Sequence, residues 1–247
     1  MVMVRQSRAN VTVPTILLTR PLPQSQRFAR ALGEICDLPV VISPLMAAQA
    51  LNPVLPQGPF AAVVLTSETG ADLAGRIPGL PRLAYCVGDR TAEVAAAQGF
   101  QAVSAVGDAQ RLSAMILARN QAGPLLHLRG TESRGNLAET LTMGGTVTQE
   151  AVIYDQKPQP LSDDARALLA AGRPLIVPLF SPRSARLFLQ EAGPLAGPVW
   201  FAALSPAVAA ELAPHALEIA ERPDASAMLV AVQRLIASAC TAGPAPP

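Results

Sequence analysis

The sequence predicts an α/β protein with parallel sheets, organised as two similar units. Three observations carry that prediction. Short apolar runs alternate with longer alanine-rich amphipathic stretches. The apolar runs lack a polar alternation, as strands buried on both faces do. Three strand-to-helix turns recur in the same order in the two halves of the chain. A chain of 247 residues is long enough for one large domain or for two of about 120. With 50% hydrophobic and 15% charged residues, it is not a disordered polyelectrolyte.

Taken in order, strands are expected over 16–19, 61–66, 83–87, 125–128, 176–180 and 199–204, where β-branched or other apolar residues run together. Helices are expected near 22–33, 69–76, 90–98, 109–119, 132–142, 163–171, 183–191, 206–213 and 225–238, each with apolar residues three and four apart.

The repeat is visible within this one chain. Val64-Leu-Thr-Ser67 aligns with Pro178-Leu-Phe-Ser181, Tyr85-Cys-Val-Gly88 with Ala202-Ala-Leu-Ser205, and Gly107-Asp108 with Pro223-Asp224, at offsets of 114, 117 and 116 positions. Between the halves lies Thr146-Val-Thr-Gln-Glu-Ala-Val-Ile-Tyr-Asp155, long enough for one extended strand and followed by a turn-rich segment. A second candidate connector is Pro39-Val-Val-Ile-Ser-Pro44. If both cross, the first strand and helix belong with the C-terminal unit. One domain is then discontinuous, 1–41 with 156–247, and the other is 42–155.

The balance of charge narrows the partners. A net charge of +1 leaves too little excess for a protein whose main task is gripping nucleic acid or an anionic membrane. The single lysine, Lys157, and the 24 prolines read as coding bias. Cys36, Cys86 and Cys240 are far apart and odd in number, which fits a reducing compartment better than a disulfide framework or a zinc site. His127 and His215 read as packing or surface residues rather than metal ligands, and no metal is expected. The N-terminal segment does not read as a signal peptide, and no stretch is long and apolar enough to cross a membrane. A soluble, cytoplasmic protein is expected.

No GxGxxG, P-loop, GxSxG or HExxH fingerprint is present. What recurs instead is a hydroxyl or glycine where a strand ends and a helix begins: Thr19-Arg20-Pro21, Thr66-Ser67, Gly88 with Thr91, Gly107-Asp108, Arg129-Gly130-Thr131, Ser181-Pro182-Arg183 and Ser205-Pro206. Ligands of open α/β sheets sit at that edge, where helix N-termini offer free N–H groups to carboxylates or phosphates. The same residues are favoured helix caps, so both readings stand for each site. Arg20, Arg129, Arg134 and Arg183 lie on or just past these turns and could hold a carboxylate in two parallel bonds. Tyr154, near the end of the connecting strand, could donate a proton or pack.

These residues, in this order and spacing, resemble the uroporphyrinogen-III synthase family. The resemblance rests on Leu17-Leu-Thr-Arg20-Pro21, Leu65-Thr-Ser67, Val87-Gly-Asp-Arg-Thr91-Ala92, Leu128-Arg-Gly130 with Arg134, Val152-Ile-Tyr154, Phe180-Ser-Pro182 and Leu204-Ser-Pro206, over about 15–237. It implies two flavodoxin-like domains joined by a two-strand linker, with the active site in the inter-domain cleft. The implied reaction converts hydroxymethylbilane, a linear tetrapyrrole rich in carboxylates, into uroporphyrinogen III with loss of water and inversion of the last pyrrole. No cofactor and a monomeric state are implied.

By the same resemblance Tyr154 assists departure of the hydroxyl. Thr66, Ser67, Gly88, Thr91, Arg129, Gly130 and Ser181 match positions lining the substrate side, and Thr19, Arg20, Arg134, Arg183 and Ser205, on the same rims, are expected to bind substrate beside them. One turn departs from the family pattern: Ser205-Pro-Ala-Val208 lacks hydroxyls after the proline. A non-catalytic two-lobed binder of a small polyanion, or a degenerate domain retained for partner contact, would share the same rims.

Overall fold

The computed structural model describes residues 13–120, 123–132, 135–215 and 217–241. Its elements run β1 (Thr15–Leu18), α1 (Leu22–Gly33), β2 (Val40–Ile42), β3 (Met46–Ala50), β4 (Ala62–Leu65), α2 (Glu68–Ala74), β5 (Leu83–Cys86), α3 (Asp89–Ala97), β6 (Gln101–Ser104), α4 (Ala109–Ala118), β7 (Leu125–Gly130), α5 (Leu137–Met143), β8 (Thr148–Pro158), α6 (Asp163–Ala170), β9 (Leu175–Leu179), α7 (Pro182–Ala192), β10 (Val199–Ala203), α8 (Pro206–Ala210), β11 (Leu217–Ile219) and α9 (Ala225–Thr241). Each expected strand and helix is present, although the helix expected from 132 is described from Leu137. The strands β3, β6 and β11 were not expected, being short or partly polar.

Local chemistry sets the helix starts. The Ser67, Asp108, Ser162 and Ser181 side chains accept from the backbone N–H three residues on, and Asp224 does the same for Ala227. Each bond satisfies an amide that the first helical turn leaves without a partner. Pro182 and Pro206 occupy first-turn positions, where the missing N–H costs nothing.

Two sheets result, ordered β11-β10-β9-β1-β2 and β3-β8-β7-β4-β5-β6. Every pairing in the first is parallel, as are β4 with β5 and β7, β5 with β6, and β7 with β8 in the second. The chain divides into two compact units, one running to Ala47 and resuming at Pro158, the other Ala48–Lys157. Val40–Ile42 is therefore not a crossing segment. It pairs with Ile16–Leu18 inside the first sheet, and the crossings fall within β3 and β8, which are neighbours in the second sheet.

The strand orders explain the repeat. In chain order the first sheet reads 2-1-3-4-5, the flavodoxin order, with its switch point between β1 and β9. The second gives the same order if β7 and β8 are taken as its first two strands and β4, β5 and β6 follow, so its switch point lies between β7 and β4. The three matched turns then occupy equivalent places. A fourth equivalence, β7 with β1, is hidden because the chain enters the second unit at a different strand.

Helices cover both faces of each sheet. In the first, Leu17, Val177 and Phe201 pack with Phe188 of α7 and Val208 of α8, while Ile16, Leu18 and Ile176 pack with Phe28 of α1 and Met228 of α9. In the second, Val63 and Leu65 meet α2 and α3 through Leu73 and Ala95, and Val64 and Tyr85 meet α4 and α5 through Leu112 and Leu141. Burial on both sides is what selects unbroken apolar strands.

Phe188 is fully buried and meets Phe201 edge-on, with centroids 5.7 Å apart. Phe188→Ala is expected to cost about 3–5 kcal/mol. Urea denaturation of the variant beside the parent chain measures it.

Candidate functional site

The switch point of the second sheet gathers most of the expected residues of that unit. Ser67 ends the turn after β4 and caps α2, accepting from Gly70 N–H at 2.9 Å. Its Oγ lies 2.9 Å from the Tyr154 hydroxyl on β8. Tyr154 is only 7% exposed, its ring packed among Leu65, Ala71 and Leu128. Thr131 N–H donates to the Tyr154 carbonyl at 2.9 Å, which fixes the strand where the register of β7 and β8 shifts.

Gly130 makes room for that ring. A Cβ at Gly130 would stand 2.7 Å from Tyr154 Cζ, closer than any real contact, so only glycine leaves the phenol in place. Gly88 differs. A Cβ there would meet only the Gly107 carbonyl at 3.9 Å, and its extended φ of −158° suits any residue. The protein itself imposes no steric need for glycine at 88.

A second chain of groups runs along the other face of the sheet. His127 stands opposite Glu150 in the β7–β8 register, and its Nδ1 lies 3.0 Å from Glu150 Oε1. Its Nε2 lies 3.3 Å from Thr66 Oγ1. Arg129 Nε donates to Glu150 Oε2 at 3.0 Å, and Arg129 Nη1 donates to the Gly130 carbonyl at 3.0 Å. Arg129 and Glu150 line a cavity of about 550 Å³ with Thr131, Asn136, Glu139 and Thr142. Burial pushes the His127 imidazole below its ordinary value, while the hydrogen bond and charge of Glu150 oppose the shift.

In the first unit, the corresponding turns differ in how their side chains are used. Ser181 Oγ accepts from Ser184 N–H at 3.1 Å, and the Ser184 hydroxyl reaches back to the Ser181 amide, a reciprocal cap. The Arg20 guanidinium stacks on Phe180, 4.0 Å from the ring centre, which sets it beside the Ser181 turn at the switch point between β1 and β9. Arg183 lies in the first turn of α7, half-buried. Ser205 caps α8 without a side-chain bond to it. Thr19 and Thr91, expected on the substrate side, are buried at 1% and 4% exposure. Arg134 lies outside the described residues.

Burial also pushes the Cys86 thiol up to about 11, which leaves it a packing residue and not a nucleophile. Among the described residues no three of His, Cys, Asp and Glu are grouped to hold a metal, and no helix is long and apolar enough to cross a membrane.

The strand orders and the rims together define a two-unit doubly wound α/β protein, with polar groups gathered where each strand order reverses. The comparisons narrow that class. The family model for uroporphyrinogen-III synthase HemD matches residues 26–230, and the chain belongs to that family of enzymes. Among solved structures, uroporphyrinogen-III synthetase from Helicobacter pylori 26695 is 20% identical with a TM-score of 0.63, over 90% of this chain and 99% of that one. A mutant uroporphyrinogen III synthase from the extremely thermophilic bacterium Thermus thermophilus is 16% identical with a TM-score of 0.45, over 91% and 99%. The Helicobacter likeness is one of fold. No curated protein sequence matches the chain.

Two outcomes follow from this geometry. Gly130→Ala is expected to lose about 1–3 kcal/mol as the Tyr154 ring is forced aside, whereas Gly88→Ala, which meets no clash, loses at most about 1 kcal/mol from its N-cap position; urea midpoints of the pair decide it. His127 has a lowered value in the fold, so below about pH 6.5 the unfolded chain binds a proton that the folded one refuses. Stability therefore falls as pH drops through that range, and denaturation curves from about pH 8 to about pH 5 should show a steeper fall for the parent chain than for His127→Gln.

Proposed function

We propose that the chain is a cyclising hydro-lyase that converts hydroxymethylbilane into uroporphyrinogen III and inverts the terminal pyrrole ring. Family membership supports the reaction, and the observation that carries the chemistry is the Ser67–Tyr154 pair, 2.9 Å apart at a switch point. The Ser67 oxygen is already engaged by Gly70 N–H. If the Ser67 hydroxyl donates to the Tyr154 oxygen, the phenol proton stays available to the substrate.

In this reading the phenol gives its proton to the departing hydroxyl, which leaves as water and creates an azafulvene cation. The far pyrrole attacks it through its substituted carbon to form a spiro intermediate. That intermediate fragments and recloses inverted, and the proton lost on rearomatisation returns to the phenolate. No electrons are exchanged with an outside acceptor, so the steps need no redox cofactor. Holding the two ends of a floppy chain together contributes most, as much as about 7–11 kcal/mol in favourable systems.

The two compact units act as the two domains of the enzyme, and the carboxyl-end rims of their sheets hold the substrate. In the first unit Arg20, Arg183, Ser181 and Ser205 are the proposed contacts, with Thr19 beneath them. In the second they are Thr66, Ser67, Gly88, Arg129, Gly130 and Arg134, with Thr91 beneath. A monomer in the cytoplasm, with neither nucleic acid nor membrane as partner, completes the reading.

Incubation with hydroxymethylbilane and separation of the product isomers tests it. The parent chain should yield the type III isomer; type I alone, the spontaneous product, rejects the reading in favour of a binder. Tyr154→Phe should keep its fold and lower turnover by about a hundredfold or more, the worth of a general acid. An undiminished rate removes Tyr154 from the chemistry.

A further inference from the structure

His127 is a buried titratable group beside the switch point of the second sheet that the proposed mechanism leaves unused. It is 1% exposed, and both ring nitrogens have partners in the protein. A carboxylate can only accept, so the nitrogen facing Glu150, Nδ1, carries the hydrogen. The neutral ring then has only a lone pair at Nε2, and the hydrogen between Nε2 and Thr66 Oγ1 belongs to the threonine. Thr66 is partly exposed at the end of β4, and its hydroxyl thus points its proton inward and leaves its lone pairs for a ligand.

We propose that His127 is a positioning residue that fixes Thr66 as a hydrogen-bond acceptor, selective for an N–H donor of the substrate, a pyrrole nitrogen, and closed to a carboxylate. This deepens the proposed function and rests on it. Among the rim hydroxyls, Thr66 then reads the macrocycle and not its acid side chains, because a carboxylate would set lone pair against lone pair. Glu150 is held in turn by Arg129 at 3.0 Å, so the register of β7 and β8 decides the polarity of a group just past β4. The charged groups acting on the ring are Glu150 from β8 and Arg129 from its own strand, with Glu139 of α5 lining the cavity beside both. Protonation of the ring would reverse the arrangement, making Nε2–H the donor and turning the Thr66 proton outward.

The test has two arms, both on the full chain. With only two histidines in the sequence, ¹⁵N-imidazole spectra of the parent chain and of His215→Gln assign His127 directly. A protonated Nδ1 and an unprotonated Nε2 at neutral pH are expected; the opposite tautomer, or a doubly protonated ring, overturns the proposal whatever the enzyme does. In the second arm, Thr66→Val should raise KM about threefold to tenfold, the worth of one neutral hydrogen bond, with kcat unchanged. Thr66→Ser should restore KM. Glu150→Gln, whose amide can donate to Nδ1 and flip the tautomer, should raise KM without touching Thr66.

In the parent chain KM should also climb in acid, and that slope should vanish in Thr66→Val. Type III product with an unchanged KM in Thr66→Val removes the acceptor role alone. Absence of type III product from the parent chain removes the function reading and the pyrrole partner with it.

Discussion

Everything in this molecule depends on a constraint of parallel sheets: strands that run the same way end on the same edge, and each must hand over to a helix there. The first turn of each helix leaves amides without partners, so the edge fills with serine, threonine, aspartate, glycine and proline. Where the strand order reverses, the flanking helices leave to opposite faces, and a crevice opens at the edge. β1 and β9 make such a point in one unit, β7 and β4 in the other. Ser67, Gly130 and Tyr154 stand at the second of these points, and Arg20 and Ser181 at the first.

At the second switch point the side chains that build the turn also hold the proposed acid in place. Ser67 caps α2 and holds the Tyr154 hydroxyl, and Gly130 lacks a side chain so that the ring has a place. On the opposite face Arg129, Glu150, His127 and Thr66 form one line of donors and acceptors, each oriented by the next. Such a line is costly if one member is left unmatched in a low dielectric, and here each member has a partner. The first unit uses its equivalent hydroxyl differently: Ser181 is engaged in a reciprocal cap with Ser184. The two units share a strand order but use their matching turns differently.

Much of this was legible in the residues. Ser67 and Ser181 announce helix starts, the apolar runs announce buried strands, and the three matched turns announce the repeat. The fourth pair, β7 with β1, was not legible, because the chain enters the second unit at a different strand and the matching segments occur in reversed order. Met46–Ala50 has no β-branched or aromatic residue and Gln101–Ser104 is half polar, so neither reads as a strand, yet both pair because a sheet edge is offered to them. His127 and Glu150 are 23 positions apart and meet only through register, which no spacing rule reports. Thr19 sits on an expected turn but points inward, since side-chain direction at a strand end turns on a single residue of phase, and Thr91 lies in the first turn of α3 on its buried side.

In the proposed function the carboxyl-end edges of the two sheets, where helices begin, are the surfaces that receive a polycarboxylate tetrapyrrole. Backbone amide hydrogen exchange, with and without uroporphyrinogen III, tests it most directly. Slowed exchange confined to the turns after β1, β4, β5, β7, β9 and β10 is the predicted result. Protection at the opposite edges or on the outer helices, or none at saturating product, would contradict it.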